Sequence, residues 1–79
     1  MISRYIEQAL ARATYEQLED GSWSAHVRQL RGVIATGTSI EACRSQLGEV
    51  VEEWILVRVA RGLSVPRIGG VAIRVRKAS

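Results

Sequence analysis

Hydrophobic and polar positions follow changing rhythms along this chain, and the changes divide it into segments. In MISRYIEQALARA, Tyr5, Ile6, Ala9, Leu10 and Ala13 fall at i, i+1, i+4, i+5 and i+8. That spacing predicts an amphipathic helix, with Ser3 as its N-cap. From Thr14 the β-favouring Thr14 and Tyr15 lead into YEQLE, and Asp20-Gly21 follows as a tight hairpin turn. Beyond it Trp23, Ala25 and Val27 alternate with Ser24, His26 and Arg28, the period of a strand buried on one face. GVIATG fits a third strand over Val33 to Thr36, its glycines serving as the turns at either end.

The rhythm then returns to 3.6. Thr38 as N-cap and Glu41 three residues later form a capping box that opens a second helix. Ile40, Cys43, Leu47, Val50, Val51, Trp54 and Ile55 keep one stripe, with Val57 or Arg58 continuing it, and Gly62 after Arg58 and Arg61 marks the stop. A helix of about six turns is expected. Pro66 ends any continuation, and GGVAIRVRK reads as a last strand, with Val71, Ile73 and Val75 on one face and Ala72, Arg74 and Arg76 on the other. The predicted order is α-β-β-β-α-β, an α+β two-layer sandwich whose mostly antiparallel sheet packs on one long helix. A right-handed crossover would bring the last strand parallel to the first or the third, and the first is favoured.

Length changes this picture in one respect. At 79 residues, 47% apolar and 24% charged, the chain is expected to fold as a single domain over 1–79 with a small core. Such cores gain from disulfides, metals or partner subunits. Cys43 has no second cysteine to pair with, and with His26, the one histidine, it cannot fill a zinc site. No cofactor is expected, and a homodimer or higher homo-oligomer is. There is no run of eighteen apolar residues and no signal-peptide pattern at the N-terminus, so a cytoplasmic protein without a membrane partner is expected.

Charge is unevenly placed within a net +3. Residues 1 to 53 carry five basic and eight acidic groups, whereas 54 to 79 carry Arg58, Arg61, Arg67, Arg74, Arg76 and Lys77 and no acid. A basic sheet face of His26, Arg28, Arg74 and Arg76, with Arg31 beside it, is a candidate interaction surface for RNA or an acidic protein. Solvated arginines are the plainer reading. For catalysis the residues are poor. Asp20 sits in a turn, His26 lies on a polar strand face, and the glutamates do not converge as a two-metal nuclease requires. Cys43 falls on the buried stripe, Gly32 and Gly37 form no phosphate loop, and Trp23 and Trp54 read as core. A non-enzymatic protein is expected.

The stretch WSAHVRQLRGVIATGTSIEACRSQLGEVVEEWI resembles the core motif of the HicB-like antitoxins. In that family a strand ends at Pro-x-Leu-Pro-Gly, a short strand runs to a second glycine, and Thr or Ser with glutamate opens a long helix. Leu30, Gly32, Val33, Ala35, Gly37, Thr38, Ser39, Glu41 and Ala42 occupy those places. The opening helix and RGLSVP resemble the short, single-domain members. Arg28 and Arg31 stand where the family has its prolines. The resemblance implies a shortened ribonuclease-H-like sheet without catalytic carboxylates, and no separate DNA-binding domain. It also implies a partner, a small HicA-like RNA endonuclease toxin, blocked by occlusion. An RNA-binding module and an orphan oligomeric domain are the alternatives.

Overall fold

The strict alternation at Trp23, Ala25 and Val27 sets the architecture, because it gives the middle of the molecule one apolar and one polar sheet face. In the computed structural model, which describes residues 2–75, the elements are α1 (Ile2–Ala11), β1 (Ala13–Gln17), β2 (Trp23–Val27), β3 (Ile34–Gly37) and α2 (Ile40–Ala60). β2 is the central strand of an antiparallel three-stranded sheet, ordered β1-β2-β3. Its register opposes Ala25 to Tyr15 on one side and to Ala35 on the other. These residues, with Val27, continue one face of the sheet.

That face packs on α2, whose buried stripe is Cys43, Leu47, Val51 and Ile55. Each is four residues from the last, so they stack along one side of a helix about 31 Å long. α1 joins the helical layer through Tyr5 and Ala9, and the two helices cross where Gly48 faces Ile6 and Leu10. Among the described residues, thirteen buried apolar ones, from Tyr5 to Ile68, make one core. The strap after α2 is held by two side-chain bonds: the Tyr5 hydroxyl donates to the Pro66 carbonyl, and Arg58 Nε donates to Ser64 O at 2.6 Å. Val65 and Ile68 are thereby seated in the core.

α2 ends in a Schellman motif. Leu63 N–H donates to Arg58 O, Gly62 N–H donates to Val59 O, and Gly62 has φ +67°. Gly62 therefore stops the helix as its position predicts.

Several local expectations are corrected. Ser3 lies inside α1 rather than capping it. The first hairpin is a three-residue loop, with Leu18 and Ser22 paired across it and Gly21 N–H returning to Leu18 O. β3 runs one residue later than its apolar run suggests, because Val33 is drawn into the core ahead of the ladder. The N-cap of α2 is Ser39, not Thr38: its backbone is extended and its hydroxyl accepts from Ala42 N–H at 3.0 Å. With the cap one residue on, the position that closes a capping box is Ala42, which has no side-chain acceptor. Glu41 instead adds negative charge to the first turn.

The last strand is the main correction. Ile68 and Val71 exchange backbone bonds across Gly69-Gly70, which reverses the chain, and residues 72–75 join no ladder. Val71, Ile73 and Val75 pack half-buried against the core instead of extending the sheet. Among the described residues no strand is parallel to β1, and the crossover expected from the alternation is absent. Arg76, placed on that strand by its sequence, lies outside the described residues.

Candidate interaction surfaces

Strand pairing leaves the second sheet face uncovered. Thr14 and Glu16 of β1, Ser24 and His26 of β2, and Ile34 and Thr36 of β3 share it, with His26 between Thr14 and Ile34. Ile34 is the most exposed large apolar side chain of the described residues, at 63%. At the end of β2 the chain passes through Arg28-Gln29-Leu30-Arg31-Gly32. Leu30 N–H donates to Val27 O and Val33 N–H donates to Leu30 O. These bonds, with Gly32 at φ +82°, fold Leu30 into the core and leave Arg28 and Arg31 in solvent.

Of the five residues expected to form one basic face, His26, Arg28 and Arg31 thus gather around β2 and the connection that follows it. Arg74 does not join them. It lines an apolar hollow of about 370 Å³ with Ile2, Ala72 and Ile73, beside the start of α1. Glu16 stands on the same face as His26, so that face carries mixed charge.

Of the motif residues, Leu30, Gly32 and Gly37 shape the fold, whereas Thr38 and Glu41 are exposed. Gly37 is present for space: a Cβ there would lie 2.5 Å from Cys43 N and 2.8 Å from Cys43 Cα. The first turn of α2 rests directly on the end of β3.

A second surface escaped the sequence reading. After Ile55 the 3.6 period is lost, and WILVRVA is apolar at every position but Arg58. Leu56, Val57, Val59 and Leu63 are all exposed. Beside them lies a groove of about 340 Å³ with Val50, Trp54, Val57 and Leu63 in it and Glu53 and Arg61 at its edges. The Arg58 guanidinium sits 5.0 Å from the centre of the Trp54 ring, and this tryptophan is half-buried, packed against the core from the side of the groove. The run of consecutive apolar positions was the signal in the sequence.

For acid-base or thiol chemistry the parts are held apart. Cys43 is buried under the apolar face, its Sγ 3.7 Å from Ala35 O, and burial pushes its thiol pKa up. His26 is on the opposite face of the sheet. The Asp20 carboxyl is held below its ordinary range by the hydroxyl and N–H of Ser22, a local turn contact. Among the described residues no three of His, Cys, Asp and Glu gather as metal ligands would, and no helix is long and apolar enough to cross a membrane.

The UPF0150-like family profile matches residues 4–66, from the first turn of α1 through the strap that Tyr5 holds. The chain belongs to the UPF0150-like family. Both surfaces, apart from Arg74, lie within the matched UPF0150-like region. The fold is also similar to the crystal structure of TTHA0281 from Thermus thermophilus, at 37% identity and a TM-score of 0.86, over 95% of this chain and 94% of that one. No curated protein matches the sequence.

Proposed function

We propose that this UPF0150-like chain is a non-enzymatic, HicB-like antitoxin-type domain that binds and occludes a small HicA-like RNA endonuclease. The observation that carries the reading is the family match across residues 4–66, which contains the whole segment resembling the HicB motif. The geometry supports it in a second way. Leu30, Gly32, Gly37 and the capped start of α2 are used up in folding, so binding falls to the surfaces they frame. Glu41, Glu49 and Glu52 are exposed along α2 and offer negative charge to the cationic surface that a ribonuclease needs for RNA.

The test is co-expression with the product of the adjacent reading frame. The proposal expects that product to arrest growth alone, to be silenced by this chain, and to co-purify with it. A neighbour without toxicity, or toxicity that the chain does not relieve, would count against the antitoxin role. An RNA-binding module using His26, Arg28 and Arg31 makes a different forecast: affinity for RNA that falls steeply with salt and weakens when the two arginines are replaced.

A further inference from the structure

The buried stripe of α2 stops short of the helix end. Cys43, Leu47, Val51 and Ile55 are fully covered, yet the next position in the series, Val59, is 37% exposed. The sheet and α1 have run out there, while the sequence remains apolar around the helix. A helix that is apolar all round needs cover on every side. Val57 and Leu63 share a groove with Val50 and Trp54 and form a contiguous apolar patch, while Leu56 and Val59 lie on other sides of the helix. The Schellman motif adds to this patch by turning Leu63 back into the groove beside Val57.

The charges at the groove indicate what covers it. Glu53 lies four residues before Val57 and Arg61 four after, so all three follow one side of the helix at successive turns. A two-fold axis through Val57, perpendicular to the helix, lays a second α2 antiparallel on the first. Residue 57−n then faces 57+n. Glu53 of each copy meets Arg61 of the other, twice, across an apolar centre of two Val57 side chains. The surface is self-complementary in apolarity and sign, as an isologous interface must be. We propose that the chain forms a two-fold dimer through the C-terminal halves of two antiparallel α2 helices, centred on Val57. This goes beyond the antitoxin reading and does not depend on it.

The mass of the full chain in solution, by light scattering after size exclusion, tests the proposal. Wild type is expected at twice the chain mass. Val57→Asp should be monomeric with unchanged far-UV circular dichroism, since Val57 is exposed within one chain. Glu53→Arg places four cations at the interface, and Arg61→Glu places four anions. Each alone should weaken self-association at least about tenfold. Mixed one to one, the two variants should form a heterodimer, because each interfacial cation of one copy then faces an anion of the other. A monomeric wild type, a dimer that survives Val57→Asp, or variants that fail to combine would each overturn the proposal. These readouts involve no toxin, so they stand or fall separately from the growth assay.

Discussion

Replacing Gly37 with alanine should be among the most damaging single-methyl changes available in this chain. The new Cβ would fall 2.5 Å from Cys43 N, 2.8 Å from Cys43 Cα and 2.9 Å from Ala42 C, all of them backbone atoms. Carbon contacts are relaxed near about 3.5–4.0 Å, so β3 and the first turn of α2 must separate by about 1 Å. A rotamer change cannot relieve this, because the first turn is fixed by the Cys43 N–H bond to Ser39 O and by the Ser39 cap. Overpacking of this kind typically costs about 1–3 kcal/mol, and with rigid backbone as the neighbour the upper end is expected. A domain of this length has a total of roughly 4–12 kcal/mol. A loss of about 3 kcal/mol lowers the melting temperature by about 12 °C or more. Gly32→Ala is the control. Gly32 has φ +82° and open space around it, so its substitution carries only the left-handed backbone penalty of about 1–2 kcal/mol. Thermal and urea denaturation of both variants at one protein concentration gives the comparison. The reasoning fails if Gly37→Ala melts within a few degrees of wild type, or above Gly32→Ala.

The cap assignment predicts that Ser39→Ala loses about 1 kcal/mol while Thr38→Ala is close to neutral, measured by urea unfolding. The two tyrosines should behave oppositely on conversion to phenylalanine. Tyr5→Phe gives up the bond to Pro66 O and about 1 kcal/mol, whereas Tyr15→Phe removes a buried hydroxyl without a hydrogen-bond partner among the described residues and should be neutral or stabilising. Gly48→Ala should raise stability by up to about 1 kcal/mol, since its Cβ would make ordinary 3.9 Å contacts with Ile6 and Leu10 and the helix gains a better former. Arg31→Pro should leave the melting temperature within about 4 °C of wild type, because the two bonds that shape the connection are donated by Leu30 and Val33; a larger fall would show that the Arg31 N–H is needed.

What could be read from the chain was whatever its own core enforces. Trp23, Ala25 and Val27 declared the central strand because burial of alternate residues is a period-two demand. Cys43 to Ile55 declared the long helix for the matching reason. The element boundaries were less legible. Thr38 and Ser39 are both good caps, and which one serves depends on how closely α2 can approach Gly37, a tertiary distance with no sequence signal. The last strand misled because Val71, Ile73 and Val75 satisfy the same alternation as β2 while being seated against the body beside α1. Alternation reports that one side of a segment is covered, and does not say by what. The basic face was overdrawn for that reason: Arg74 was assigned to the sheet by an alternation that the sheet does not use.

The same logic separates residues the fold explains from residues it leaves over. Leu30 and Gly32 explain themselves within one chain, whereas positions 28 and 31 carry exposed arginines. Arginine at both places therefore changes what the β2–β3 connection shows to solvent more than how it folds. Likewise Leu56, Val57 and Val59 stay exposed beyond Ile55, the last fully buried residue of α2. In a domain this small, apolar surface left open is a large fraction of what could have been buried, so its persistence argues for a partner that covers it. The end of α2 and the open sheet face with its arginine-flanked connection are distinct surfaces. A dimer through the first leaves His26, Ile34, Arg28 and Arg31 of each copy free, and such an assembly could present two equivalent binding faces at once.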